Sequence, residues 1–298
     1  MISGDELTFR GLSEPFFNAL KDGELKPILG FEKEHRDTFL IEIRNNYLDL
    51  YFLGHAVKVE RVASGYNLHS ADAFLPDKFT KWPISFKQVK ESYKSGFGGF
   101  MIEVMSKIII HKKGDISEGV SEMNHYISNR IAHKPEDIVV IDRQVTYEQA
   151  RIDLLGLKKL NSSDFGFVVI ELKNKENKDI AEVFSQTKGY LDTIREHYGY
   201  FQTTYNLILE QKIKLGLLDR RNNGKIADKI QGKGSIEGIV VLDNYNLRSS
   251  RLESAVKNDW AKVCGSHKIK LFLKTNTFDN RFMWDYQKAC GFLTKCDL

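Results

Sequence analysis

Residues 151–156, RIDLLG, and residues 167–174, FVVIELKN, decide the fold of this chain. The second stretch is apolar and rich in β-branched residues, which indicates a buried strand. The first stretch reads as a neighbouring strand that presents Asp153. Side chains alternate along a strand, so Glu171 and Lys173 lie on one face of the second strand. The two stretches therefore predict two acids and a lysine near the ends of adjacent strands.

Charged groups in this position need a partner, because a buried charge without one is costly. A hard divalent cation held by carboxylate oxygens would supply that partner for Asp153 and Glu171. Metal ions bound in this way polarise phosphodiesters and activate water near neutral pH. The pattern therefore favours a metal-dependent phosphodiesterase site. The alternative is an unrelated α/β protein in which Glu171 and Lys173 merely pair at a strand end.

At these residues the chain resembles the PD-(D/E)XK, or restriction-endonuclease-like, nuclease superfamily. Asp153 matches the first acid of the motif, Glu171 the second and Lys173 the lysine, whereas Ile152 replaces the proline of the name. The resemblance implies that Asp153, Glu171 and the Leu172 carbonyl bind Mg²⁺, with Mn²⁺ able to substitute. It also implies that Lys173 orients the attacking water or offsets charge on the phosphate.

The segment that follows, 179–197, has apolar residues at helical spacing. It contains Gln186 and Tyr190, which lie four residues apart and therefore share a helix face. A Q-x-x-x-Y helix after the E-x-K strand resembles the RecB-like branch of the superfamily. The resemblance implies a catalytic role for Gln186 and a nucleic-acid contact for Tyr190. A core aromatic is the alternative for Tyr190.

A helix is also predicted upstream, over residues 117–130, with an apolar stripe on one side. Glu118 is placed to cap its start. Glu122, one turn later, is then the candidate third metal ligand, or alternatively a solvated surface glutamate. A turn at residues 134–137 leads into an apolar strand at 138–141. The resulting order of helix, three strands and helix is how the superfamily's core begins.

Basic residues supply candidate DNA contacts. Residues 215–235 include Arg220, Arg221 and Lys225, which would neutralise phosphates and make binding depend on salt. A solvated insertion between core elements explains the same stretch. Arg151 alternates onto the face of Asp153, where it would contact phosphate or pair with an acid.

Composition fits a soluble globular protein. The chain has 298 residues, 42% of them hydrophobic and 28% charged, with a net charge of +4 that permits contact with nucleic acid without requiring it. Its cysteines, Cys264, Cys290 and Cys296, are not spaced as a zinc site, which favours free thiols in a reducing compartment. The polar start at residues 1–6 lacks a secretory pattern, and no apolar run is long enough for a membrane span. We therefore expect a cytoplasmic location.

The expected fold class is α/β, with two domains. Residues 1–98 form an N-terminal α+β accessory domain of unknown role, in which alternating segments over 41–62 predict a three-stranded antiparallel meander. The glycines of 96–99 mark the boundary. Residues 99–298 form the nuclease-like domain, a mixed sheet flanked by helices. No internal repeat is found.

The sequence thus predicts a Mg²⁺-dependent endonuclease that acts on DNA in preference to RNA, with a role in defence, restriction or repair. The alternative function is a nuclease-fold module without turnover that binds nucleic acid or assembles with partners. A homodimer would suit a cut in both strands. A partner protein that switches the enzyme on is equally compatible with the sequence.

Overall fold

A computed structural model describes most of the chain, namely residues 10–111, 118–130, 138–160, 165–174, 178–218, 230, 236–243, 250–264 and 267–274. The chain divides into two compact units. Unit 1 is Met1–Met123 with Thr203–Leu218, and unit 2 is Asn124–Gln202 with Asp219–Leu298. None of the described helices has the length and apolar character needed to cross a membrane.

Unit 1 contains an antiparallel sheet in which each strand pairs with the next along the chain. The strands are β1 Phe39–Ile43, β2 Tyr47–Phe52, β3 His55–Val62, β4 Gly65–His69 and β5 Ile84–Ser85. The first three form the meander predicted over 41–62. Leu53 and Gly54 connect β2 to β3 with φ angles of 46° and 79°. A Cβ on Gly54 would lie 2.7 Å from the carbonyl carbon of Gly119, so this turn requires glycine.

Four helices complete most of unit 1: α1 Glu14–Lys21, α2 Lys26–Glu34, α3 Phe86–Ser92 and α4 Gly96–His111. The glycines of 96–99, which the sequence predicts as the boundary, lie in the first turn of α4, since this helix begins at Gly96. Phe97 and Phe100, in its first turns, are buried in the core of unit 1, and Phe97 contacts Phe31 and Phe86. Burial of these aromatic rings stabilises a helix whose glycines alone disfavour it.

The predicted boundary at residues 98 and 99 consequently differs from the observed division. Helix α4 packs on α2 and α3, and so the first unit continues to Met123. Residues 203–218 also belong to it, and Gln211 in this segment accepts a hydrogen bond from the Leu12 amide and donates one to the Leu12 carbonyl. Contacts between such distant segments are not visible in a local reading of the sequence.

Unit 2 contains a mixed sheet of strand order β10-β9-β8-β7-β6. Its strands are β6 Ile138–Tyr147, β7 Ala150–Lys159, β8 Phe165–Asn174, β9 Glu237–Asp243 and β10 Ile269–Lys274. β6, β7 and β8 are antiparallel, whereas β8, β9 and β10 are parallel. β8 is central and nearly all its residues are buried, as its continuous apolar sequence predicts. The mixed α/β architecture expected from the sequence is therefore present.

Three helices lie wholly in unit 2: α6 Val183–Glu196, α8 Ser250–Ala255 and α9 Ala261–Cys264, among the described residues. The remaining two are α5 Glu118–Asn129 and α7 Tyr198–Lys214. A 3-10 turn, Lys178–Glu182, precedes α6, and π-helical residues Val256–Trp260 join α8 to α9. α5 and α7 are each divided between the two units. The helices predicted over 117–130 and 179–197 are thus observed, with α6 starting a turn later than expected.

Helix α6 packs on the sheet face that carries Glu171. A Cβ on Gly238 of β9 would lie 2.9 Å from the Thr187 side chain and 3.1 Å from that of Leu191, both in α6. Gly238 pairs with Val169, and Glu171 is two residues further along β8 on the same face. The glycine lets the helix approach this face closely, and so brings α6 over the strand that holds the predicted acids.

Candidate active site

Asp153 and Glu171 meet on one face of the unit 2 sheet. β7 and β8 pair with Leu154 opposite Ile170, and the next step of this register places Asp153 opposite Glu171. Directly opposed residues of antiparallel strands have neighbouring side chains. The Leu172 amide donates a 2.9 Å hydrogen bond to Asp153 Oδ2. Both acids are buried, Asp153 being 8% and Glu171 3% exposed.

Lys173 forms an ion pair with Glu171. Its Nζ lies 2.8 Å from Glu171 Oε1, and the lysine is itself only 6% exposed. Alternation along β8 puts both side chains on the face that α6 covers. The pairing by itself also fits a purely structural role for the two residues. The opposed carboxylate of Asp153 sets this site apart, because it brings a second buried acid beside the pair.

Tyr190 reaches the same group of charges from α6. Burial raises the pKa of its phenol, and the negative charges of Glu171 and Asp153 raise it further, against the opposing effect of Lys173. The side chain is half-buried and is absent from the buried face of α6. Tyr190 therefore borders the acids, and a core position, the alternative left open by the sequence, is not observed.

Gln186 lies one turn before Tyr190 on α6. Its Oε1 is shielded from solvent and accepts no hydrogen bond from the part of the chain that the structure describes. A buried amide oxygen without a donor is unfavourable, since the interaction with water has been lost and not replaced. An oxygen in this state is suited to a cation or to a hydrogen-bond donor on a ligand.

A salt bridge joins α6 to a residue that lies just before β10. Asp192 Oδ1 lies 2.7 Å from His267 Nε2, and Lys188 bonds the other carboxylate oxygen. Burial alone would raise the pKa of Asp192, but the hydrogen bonds from Lys188 and His267 outweigh it and lower the pKa to about 2. Neither residue belongs to a recognised motif. Their contact holds the helix that carries Gln186 and Tyr190.

Glu122 in α5 is only 4% exposed, so it is not the solvated surface glutamate that the sequence also allowed. It falls in unit 1, whereas Asp153 and Glu171 fall in unit 2. Among the described residues, no three His, Cys, Asp or Glu side chains form a group that could hold a metal ion. The role of Glu122 as a third ligand stays a prediction.

Of the basic residues expected to contact DNA, one lies in the described part of the chain and three do not. Arg151, in β7, is exposed, which suits a contact with phosphate. Its backbone also forms a hydrogen bond with Tyr190. Arg220, Arg221 and Lys225 lie outside the described residues.

Sequence reasoning did not single out Asp243, the last residue of β9. It pairs in register with Asn174, and its Oδ2 lies 3.6 Å from Nε2 of the buried His125. Asn174 points to the sheet face opposite that of Lys173. An acid directly after the apolar run of β9 was the available signal, because the carboxyl ends of parallel strands meet at one sheet edge.

The oxygens of the acid pair are chemically suited to magnesium. Asp153 and Glu171 supply carboxylates, and Gln186, one turn before Tyr190 on α6, has a shielded amide oxygen. Mg²⁺ prefers oxygen ligands of this kind and is ordinarily bound through one or two carboxylates together with water and substrate phosphates. Two buried acids therefore suffice for its protein ligands.

No protein-family model and no curated protein matches the chain. A crystal structure of a repair endonuclease from Pyrococcus abyssi aligns with 85% of this chain and 94% of its own, at 12% identity and a TM-score of 0.24. A TM-score this low does not establish a common fold. The side chains of the site therefore carry the functional assignment.

Proposed function

We propose that this protein is a Mg²⁺-dependent endonuclease of the PD-(D/E)XK type that hydrolyses phosphodiester bonds in DNA. The observation that supports it most is the meeting of Asp153, Glu171 and Lys173 on one sheet face. The sequence motif had predicted that these three side chains lie together. A lysine in the same buried group provides a positive charge, which would stabilise the negative charge that develops on the phosphate in the transition state.

In this proposal Asp153 and Glu171 hold the metal ion, with the Leu172 carbonyl as a further ligand. The bound metal would polarise the phosphate and lower the pKa of water. Lys173 offsets charge that develops on the phosphoryl oxygens, as a compact ammonium on a flexible stem can do. Gln186 and Tyr190 contact the reacting nucleotide from α6.

We also propose that the substrate is DNA in preference to RNA, and that unit 1 is an accessory domain. Arg151 and the basic residues Arg220, Arg221 and Lys225 would contact phosphates away from the cut. Such contacts would make the affinity for DNA fall steeply as salt increases. Parallel assays on DNA and RNA of one sequence would decide the substrate.

Cleavage of supercoiled plasmid, linear duplex and single-stranded DNA with Mg²⁺ or Mn²⁺ tests the activity. We expect the full chain to nick or cut the closed circle, and chelation to abolish this. Asp153→Asn and Glu171→Gln keep side-chain size while removing charge, so both should lose cleavage and remain folded. Lys158→Met is the matched control, because it removes a lysine that pairs with Glu237 elsewhere in unit 2.

Equal cleavage by wild type and Glu171→Gln would exclude this site as its source. The second candidate is a nuclease-fold module that binds nucleic acid without turnover. One observation favours it: Lys173 pairs with Glu171, so this buried acid has a positive partner without a metal ion. DNA binding with neither cleavage nor affinity for Mn²⁺ would establish that candidate.

A further inference from the structure

We propose that Lys173 is a resident counter-ion that competes with a divalent cation for Glu171, so that metal binding releases the lysine toward the substrate. This inference rests on the proposed function and concerns how the same site is loaded. In this proposal the lysine ammonium occupies Glu171 when no metal is bound, and a divalent cation replaces it.

Geometry is the first support for competition. The lysine Nζ is 2.8 Å from Glu171 Oε1, one of the carboxylate oxygens that a metal would use. A divalent cation and an ammonium attached to one carboxylate would stand only a few ångströms apart. Repulsion between them is strong at that distance in a poorly solvated site. Both cations cannot remain on Glu171 at full affinity.

Burial is the second support. Glu171 and Lys173 are both almost fully shielded from water, and a buried carboxylate is stable as an anion only beside a positive charge. The lysine satisfies this requirement before any metal is bound. A divalent cation that replaced it would meet the same requirement, which makes the exchange of one cation for the other feasible without exposing Glu171.

The position of Asp153 gives the exchange a direction. Its Oδ2 accepts the Leu172 amide hydrogen, which is a neutral donor. Asp153 also lies opposite Glu171 in the register of β7 and β8. A divalent ion bound by both residues would therefore be held by two carboxylates. The lysine stem then allows its ammonium to move to an incoming phosphate.

Mn²⁺ affinity of the full chain, measured by titration calorimetry and by electron paramagnetic resonance of free Mn²⁺, tests the competition without reference to cleavage. Lys173→Met should bind Mn²⁺ more tightly by on the order of tenfold, because a nearby positive charge is gone. It should nevertheless be inactive. Lys173→Arg keeps the charge and should bind no more tightly than wild type. Lys158→Met, which removes a lysine paired outside the site, should match wild type.

The outcomes separate the two proposals. If wild type binds Mn²⁺ through Glu171, so that Glu171→Gln loses the metal, but Lys173→Met binds no more tightly, competition is refuted and the metal site stands. If neither wild type nor Lys173→Met binds Mn²⁺ at millimolar concentration, both proposals fail. Lys173→Gln, which can still hydrogen-bond Glu171 without a charge, provides the same comparison if the methionine variant does not fold.

Discussion

A second buried lysine–glutamate pair, in unit 1, provides a quantitative test of the packing. Lys212 of α7 lies 2.7 Å from Glu42 of β1, with side chains that are 1% and 0% exposed. Lys212→Met replaces the ammonium with an apolar group of similar length and leaves the Glu42 carboxylate in the core. We expect this single change to destabilise unit 1 strongly.

The expected loss of folding stability follows from the burial of the Lys212–Glu42 pair. Removal of one partner of a fully buried pair costs about 3–5 kcal/mol, because the remaining charge loses the Lys212 ammonium in a medium that solvates it poorly. With a urea dependence of about 2 kcal/mol per molar, the unfolding midpoint should fall by roughly 2 M. Glu42→Leu combined with Lys212→Met removes both charges, and should return the stability to within about 1 kcal/mol of wild type.

Urea unfolding followed by circular dichroism measures this change. Hydrogen exchange of the β1 and β2 amides assigns it to unit 1, since two units can unfold in separate transitions. Lys214→Met is the matched control: Lys214 lies two residues further along and pairs with Glu210 at the exposed surface. Its loss should cost less than about 1 kcal/mol. A single variant Lys212→Met as stable as this control would refute the reasoning.

Three further outcomes are expected. Gly54→Ala should destabilise unit 1 by more than about 1 kcal/mol in urea unfolding, because its Cβ meets the Gly119 backbone at a φ of 79°; an unchanged midpoint would contradict this. Despite burial, hydrogen bonds from Lys188 and His267 lower the pKa of Asp192 to about 2, so these contacts stabilise the fold above the ordinary value of 3.8 and are lost as pH falls toward 2. Asp192→Asn should therefore show less loss of stability between pH 5 and pH 2 than wild type, and equal slopes would count against the salt bridge. Tyr190→Phe should lower kcat/KM on DNA without moving the urea midpoint, whereas full activity would remove its hydroxyl from the site.

The relative positions of Asp153, Glu171 and Lys173 were the most predictable feature of the described chain. The apolar run of β8 specified a buried strand, and alternation then put Glu171 and Lys173 on one face. Their observed ion pair follows from that alternation. The opposition of Asp153 depends on the register of β7 against β8, which the short connection between these strands constrains. Local sequence therefore contained most of the information needed to assemble the acids and the lysine.

Other features depend on contacts that no local pattern reveals. In an alternating antiparallel strand a glutamate ordinarily faces solvent. Glu42 instead lies in a strand that is buried throughout, because Lys212, which is 170 residues away in sequence, supplies its charge partner. The start of α4 at Gly96 has the same kind of cause, since buried rings from other helices of unit 1 hold it. Both cases show tertiary packing overriding a local preference.

The two buried lysine–glutamate pairs contain the same chemical groups. Their surroundings distinguish a structural ion pair from a candidate catalytic one. Lys212 and Glu42 join a helix to a strand, an arrangement whose contribution to the fold can be replaced by apolar packing. Glu171 and Lys173 lie beside a second buried acid, Asp153, and under a tyrosine whose pKa responds to both carboxylates. Two opposed carboxylates beside a lysine supply the kind of oxygens that a divalent cation prefers. In the proposed function such a cation would bind both acids while the lysine became available to a phosphate, and the second acid is the physical reason to propose the metal site in unit 2.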